Sequence, residues 1–193
     1  MTRQPRRWAA SLLRLLGWRT EFLLPPEKHV LIIVYPHTSN WDFFWGILGR
    51  WSSGWPINWV AKHTLFFWPA GMILQAWGGI PVNRAAADGF VENLAATIHQ
   101  SETMILAITP EGTRSYRDHW KSGFYRIAMA ADIPVGIGYV DYATRSVGVS
   151  EYFRLSGDEG ADMARIAEAY RHRVARNPGV AAPIRLKSTP PKP

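Results

Sequence analysis

Cysteine is absent from the 193 residues, which removes disulfides, thiolate metal sites and a thiol nucleophile from consideration. Acidic side chains are scarce, with 15 Asp and Glu against 22 Lys and Arg and a formal net charge of +7. A chain so balanced favours anionic partners: nucleic acid, an acidic lipid surface or a phosphorylated substrate. No apolar run approaches the ~20 residues that span a bilayer. Four signatures of other chemistries are also missing: the G-x-S-x-G elbow, the G-x-x-x-x-G-K-[ST] phosphate loop, G-x-G-x-x-G and the H-E-x-x-H metal helix.

Aromatic residues are what the sequence has in quantity. It carries ten Trp, most of them between Trp41 and Trp77, and Trp favours sites with one apolar and one wet side. A nucleic-acid-binding module would interleave such rings with cations. Between Trp41 and Trp59 the only cation is Arg50, so nucleic acid is set aside as a partner.

The N-terminus begins basic (Arg3, Arg6, Arg7) and continues Trp8-Ala-Ala-Ser-Leu-Leu-Arg-Leu-Leu-Gly-Trp18. Arg14 interrupts the apolar region, and Trp18-Arg19 stands where a signal peptide would carry small cleavage-site residues. An amphipathic helix is expected instead, with Trp8, Leu12, Leu15 and Leu16 on one face, suited to a membrane surface. A helix packed on the domain's own core is the alternative.

After Pro25-Pro26, the run His29 to Tyr35 (HVLIIVY) reads as a buried strand. Pro36-His37-Thr38-Ser39-Asn40 then has helix-start chemistry, with Ser39 or Asn40 as cap, and a helix to about Gly49. Further strands are expected at 56–61, 80–82, 104–109, 133–140 and near Val147. Helical stretches are expected at 65–77, from Asp88 through Ile98, at 121–131, and over Met163 to Val174, stopping at Asn177-Pro178. The alternation predicts a single α/β domain with a largely parallel sheet flanked by helices. In such sheets chemistry gathers beyond the strand C-termini, and three strand ends carry polar clusters: PHTSNWD, PVNR and TPEGTR.

His37 and Asp42 flank the first turn. A carboxylate on one imidazole nitrogen fixes the tautomer and stabilises the imidazolium formed when the other accepts a proton, as a general base for a hydroxyl requires. The plain alternative is a helix N-terminal charge beside an incidental loop histidine. In Glu111-Gly112-Thr113-Arg114, Arg114 can grip a phosphate, with the backbone donors of Gly112 and Thr113 assisting. A surface turn with an internal Glu111–Arg114 pair is the plain alternative. Lys62 and Arg84, at two other strand ends, add cations to the same mouth.

Read in order, these clusters resemble the glycerolphosphate and lysophosphatidate acyltransferase superfamily over about residues 30 to 140. His37-Thr-Ser-Asn-Trp-Asp42 matches its H-x-x-x-x-D block, Gly79 to Arg84 resembles the second, Pro110-Glu-Gly-Thr-Arg-Ser115 matches the third, and Ile133-Pro134-Val135 resembles the fourth. The resemblance implies that His37, held by Asp42, deprotonates an acceptor hydroxyl that attacks a fatty-acyl thioester directly. It implies that Lys62, Arg84 and Glu111, Gly112, Thr113 and Arg114 hold the acceptor's phosphate or glycerol end. Acyl-CoA or acyl carrier protein is the implied co-substrate, without metal or cofactor, and 1-acylglycerol-3-phosphate the default acceptor. Pro36 and Gly138 depart from the pattern, which leaves other lysolipids open, such as an ornithine lipid or glycolipid precursor; a non-catalytic lipid-binding protein and a thioesterase are rival readings.

The expected organisation is a membrane-surface helix over 1–24, the acyltransferase domain over 25–180 and a disordered tail over 181–193. Association with the cytoplasmic face of the membrane follows from substrate logic and basic charge, with the aromatic stretch 55–77 as a second membrane element.

Overall fold

The computed structural model describes residues 4–82 and 89–187. Its centre is strand β2 (His29–Val34), whose four middle residues are all buried. Leu31 and Ile33 enter one apolar cluster while Val30 and Ile32 enter another, because successive strand side chains point to opposite faces. A strand covered on both faces must be apolar throughout, which is why this run lacks alternation. Each such Leu or Ile contributes roughly 1.5–3 kcal/mol on burial.

Around β2 the sheet is completed by β1 (Arg19–Phe22), β3 (Ile57–Lys62), β4 (Gly79–Val82), β5 (Met104–Ile108), β6 (Val135–Asp141) and β7 (Ser146–Phe153). The order across it is β1-β7-β6-β2-β5-β3-β4. All neighbours are parallel except β6 and β7, which pair as an antiparallel hairpin. On one face lie α4 (Phe90–Gln100), α5 (Gly123–Ala130) and α6 (Glu159–Tyr170), joined to Leu31 and Ile33 in the largest cluster. Helices α1 (Arg7–Leu15) and α2 (Asn40–Ser53) cluster with Val140 and Val147 on the other. The short α3 (Ala70–Ala76) links β3 to β4. The expected single α/β domain with a largely parallel sheet is the fold observed.

Several expectations need correction. Helix α1 is not followed by a linker: residues 19–22, expected within the membrane helix, form an edge strand on β7. The helix also packs on the domain's own core through Ala9 and Leu13, which are buried against Trp18, Trp45 and Leu48. Leu12, expected on the lipid face, packs against this cluster, whereas Trp8, Leu15 and Leu16 are exposed. The last helix ends at Tyr170 rather than near Asn177. In the tail expected from 181, Ala182 and Leu186 are buried, and Leu186 bridges to Trp120. A Pro-rich segment can be ordered when its remaining backbone donors find partners. The cap expected at Asp88 lies outside the described residues. No described helix is long and apolar enough to cross a membrane.

Candidate active site

Strand order decides which loops meet. Because β2 lies between β5 and β6, the loops after β2, β5 and β6 emerge side by side. They carry His37, Glu111 and Tyr142 respectively. Beyond β5 lies β3, which ends at Lys62.

The turn from β2 into α2 is built around Asp42. Ser39 caps the helix, its Oγ accepting from the Trp41 amide, while Asp42 Oδ2 accepts from the amides of Thr38 and Ser39, both at 2.8 Å. This reciprocal capping satisfies donors that a helix N-terminus otherwise leaves open, a device worth ~1 kcal/mol. It also curls the carboxylate back toward the preceding residues, so His37 Nδ1 lies 3.4 Å from Asp42 Oδ2. His37 also lines the cavity, and a proton on Nδ1 beside the carboxylate would leave Nε2 as the acceptor.

Tyr142, at the end of β6, donates its phenol proton to Asp42 Oδ1 at 2.6 Å. Burial pushes the Asp42 carboxyl up, but the hydrogen bonds from His37, Tyr142 and Ser39, with attraction to the His37 ring, together hold it below its usual value. The acid is therefore held as a carboxylate beside the His37 ring.

Glu111 is more deeply placed than a surface turn allows. Its side chain is 2% exposed. Oε2 accepts from the His37 amide at 2.6 Å and Oε1 from the Ala182 amide at 3.0 Å. Burial drives its carboxyl up to about 7, against the pull of those two amides and helped by repulsion from Asp42. No ion pair joins it to Arg114 among the described residues. In what the structure describes, Glu111 holds the loop that carries His37.

Gly112 has φ +67, a left-handed conformation that glycine adopts without penalty. It turns the chain so that Gly112, Thr113 and Arg114 line the same cavity as His37, Asp42 and Lys62. Arg84 lies outside the described residues.

The cavity itself, of ≈ 560 Å³, runs between α2 and the sheet, a volume usual for small-molecule sites. Beyond its polar end the walls are apolar: Ile32, Val34, Phe43, Ile47, Trp59 and Val149 among them. Gly138 forms part of the wall, where a Cβ would come within 2.5 Å of Ile32. Gly46, mid-helix in α2, faces the space with nothing within 4 Å of where its Cβ would be. Leu65 also lines the cavity, and with Phe67, Trp68, Met72 and Ile73 it is exposed, Trp68 at 82%.

Of the residues singled out in the sequence, His37, Asp42, Lys62, Gly112, Thr113 and Arg114 therefore line one cavity, while Glu111 supports it from behind. Tyr142, Gly46 and Arg50, which also lines the cavity, were not anticipated. Only Tyr142 carried a readable signal, its position in a polar Asp-Tyr pair just past a strand.

Comparison with known proteins fits this geometry. No curated protein matches the chain. Among solved structures it is similar to the 1-acyl-sn-glycerophosphate (LPA) acyltransferase PlsC from Thermotoga maritima, with a TM-score of 0.53 and 18% identity over 88% of this chain and 79% of that one. The model of the acyltransferase family matches residues 21–136, well over half of the sequence and inclusive of the His37, Lys62 and Glu111 loops. The chain belongs to the acyltransferase family.

Proposed function

We propose that the protein transfers a fatty acyl group from acyl-CoA or acyl carrier protein to a hydroxyl of a lysophospholipid-type acceptor, by default 1-acylglycerol-3-phosphate, giving phosphatidate. The observation that carries this reading is the His37–Asp42 pair at the polar end of an apolar cavity. The acceptor oxygen attacks the thioester carbonyl as its proton passes to His37 Nε2. The new C–O bond forms, the C–S bond breaks, and the departing thiolate takes the proton back from the imidazolium. Asp42 stabilises that imidazolium and holds the ring. General acid–base assistance of this kind is typically worth 10²–10⁴-fold.

The apolar length of the cavity suits an acyl chain, whereas Lys62 and Arg114 suit an anionic head group. Arg84 is assigned the same role from the sequence. Peripheral association with the cytoplasmic face of the membrane is part of the proposal. Exposed Phe67, Trp68, Met72 and Ile73 follow in sequence on Leu65, which lines the cavity. Clustered exposure of large apolar side chains in one short stretch suits an interaction site.

The test is transfer from a labelled acyl-CoA to a panel of lysolipids, ornithine lipid and glycolipid precursors included, by wild type and His37→Ala. Acyl carrier protein serves as the second donor. Product with one acceptor, lost in a folded His37→Ala protein, is the expected outcome. Transfer that persists in the variant overturns the assigned base, and thiol release without any acceptor would mark a thioesterase instead.

A further inference from the structure

Beyond Tyr170 the chain crosses the ends of the strands that carry the site. Arg173 lies over the Tyr139 ring at 3.5 Å and pairs with Asp141 Oδ2 at 3.5 Å. Val174 accepts from the Tyr142 amide at 3.0 Å and donates to Asp141 Oδ1 at 3.3 Å. Asn177 then reaches the loop after β2: its amide donates to Thr38 Oγ1 at 3.2 Å and its side-chain Nδ2 to the Thr38 carbonyl at 3.0 Å. Ala182 reaches the loop after β5 through Glu111 Oε1, and the carbonyl of Arg185 accepts from the Trp120 amide at 2.8 Å. One segment is thus fastened in turn to the ends of β6, β2 and β5.

The loop over 35–39 has no regular secondary structure of its own, so its backbone groups need partners from elsewhere. The His37 amide finds Glu111, whose other oxygen is held by Ala182. The Thr38 and Ser39 amides find Asp42. Thr38 is left with a carbonyl and a buried hydroxyl, and both are taken by Asn177. The residues on which the base depends are therefore fixed on both sides by the C-terminal segment. A catalytic group must be held within ~0.5 Å of its working geometry by what surrounds it.

We infer that residues 173–182 form a strap that positions His37, and that Asn177 is a positioning residue for acyl transfer, acting through Thr38 without touching substrate. The inference rests on the reading of His37 as the base. A strap that merely completed the core would affect stability and every kinetic constant together. A positioning strap acts on the chemical step.

The test compares wild type with Asn177→Ala, Asn177→Asp and Asn177→Gln. Asn177→Ala is expected to lower kcat by about tenfold, since small misplacements of a catalytic group are costly. KM for donor and acceptor should stay within about twofold, because uniform binding is untouched. Asn177→Asp keeps the size but loses the donor and should fall like alanine; Asn177→Gln keeps the donor and should recover part of the loss. Hydrogen exchange of the Thr38 and Ser39 amides supplies a readout independent of turnover, expected to quicken in Asn177→Ala while the sheet amides stay unchanged. Unchanged kcat, or a fall in kcat that tracks KM and the melting temperature, overturns the inference. Should wild type transfer no acyl group to any acceptor, the reading of function fails. Exchange then decides the strap by itself, unaltered Thr38 and Ser39 amides refuting it.

Discussion

The phenol of Tyr142 donates to Asp42 Oδ1 at 2.6 Å, across 100 positions of sequence, while Oδ2 of the same carboxylate faces His37. Both oxygens of Asp42 are thereby engaged, Oδ1 by the residue at the end of β6 and Oδ2 by the amides of its own helix cap. Tyr142→Phe leaves Oδ1 of a buried carboxylate without this donor, at a cost of ~1–3 kcal/mol. Asp42 sits below its usual value when folded, so its contribution is present above its ordinary value of 3.8 and lost as pH falls through the lower folded value. The variant should therefore unfold at higher pH on acidification, with a reduced kcat. An acid-unfolding midpoint and kcat equal to wild type would show that the phenol does neither job.

Glu111 has the opposite sign. Its carboxyl titrates at about 7 when folded and ordinarily at 4.5. Between these values the folded protein keeps a proton that the unfolded chain releases, so stability falls as pH rises through the window. The shift corresponds to on the order of 3 kcal/mol. Glu111→Gln removes this titration, and wild type should lose stability relative to it between about pH 4.5 and 7. Chemical denaturation at a series of pH values measures the gap, and a gap constant with pH counts against the assignment.

Gly46 offers a prediction in which stability and activity part company. It lies inside α2, faces the cavity and has open space where a Cβ would stand. Glycine within a helix is destabilising by ~0.5–1 kcal/mol relative to alanine. Gly46→Leu should therefore raise the melting temperature while shifting donor preference toward shorter acyl chains. Competition between short and long acyl-CoA reads the preference. Unaltered chain selectivity in the more stable variant would separate the cavity from the acyl chain.

Phe67 and Trp68 test the membrane surface without disturbing the fold. Both are exposed, whereas removing residues 1–19 would also strip Ala9, Leu13 and Trp18 from the core. Phe67→Ser with Trp68→Ser should weaken flotation with anionic vesicles by at least about tenfold, the scale set by the buried apolar area lost. Turnover of a soluble short-chain acceptor should be as before. Vesicle binding equal to wild type would move the membrane contact elsewhere.

Much of this protein was legible beforehand, for local reasons. HVLIIVY announces a strand covered on both faces, and Ser39 with Asp42 announces a helix start that folds a carboxylate back toward His37. Residues 19–22 were missed because a four-residue edge strand, burial pattern mostly exposed, shows no apolar periodicity; only its pairing with β7 makes it a strand. The hold of Glu111 on the His37 loop was not legible, because its partners are two backbone amides, 71 and 74 residues distant. The N-terminal helix posed a choice between core and lipid. Its Ala9 and Leu13 pack on the core while Trp8, Leu15 and Leu16 stay exposed, so the pattern had two apolar sides to distribute.

By itself the sequence determined the elements and the chemistry at their ends, since strand burial, helix capping and turn formation depend on residues a few positions apart. Its motif order also determined the family. Only the tertiary structure decided which strand ends become neighbours, because sheet order is set by pairings between distant segments that no short-range pattern records. The placement of β2 between β5 and β6 brings Tyr142 to Asp42 and Glu111 to the His37 amide. The same arrangement gives the C-terminal strap three loops to fasten and leaves an open cavity beside Gly46, where packing of α2 on the sheet stops short of filling the space.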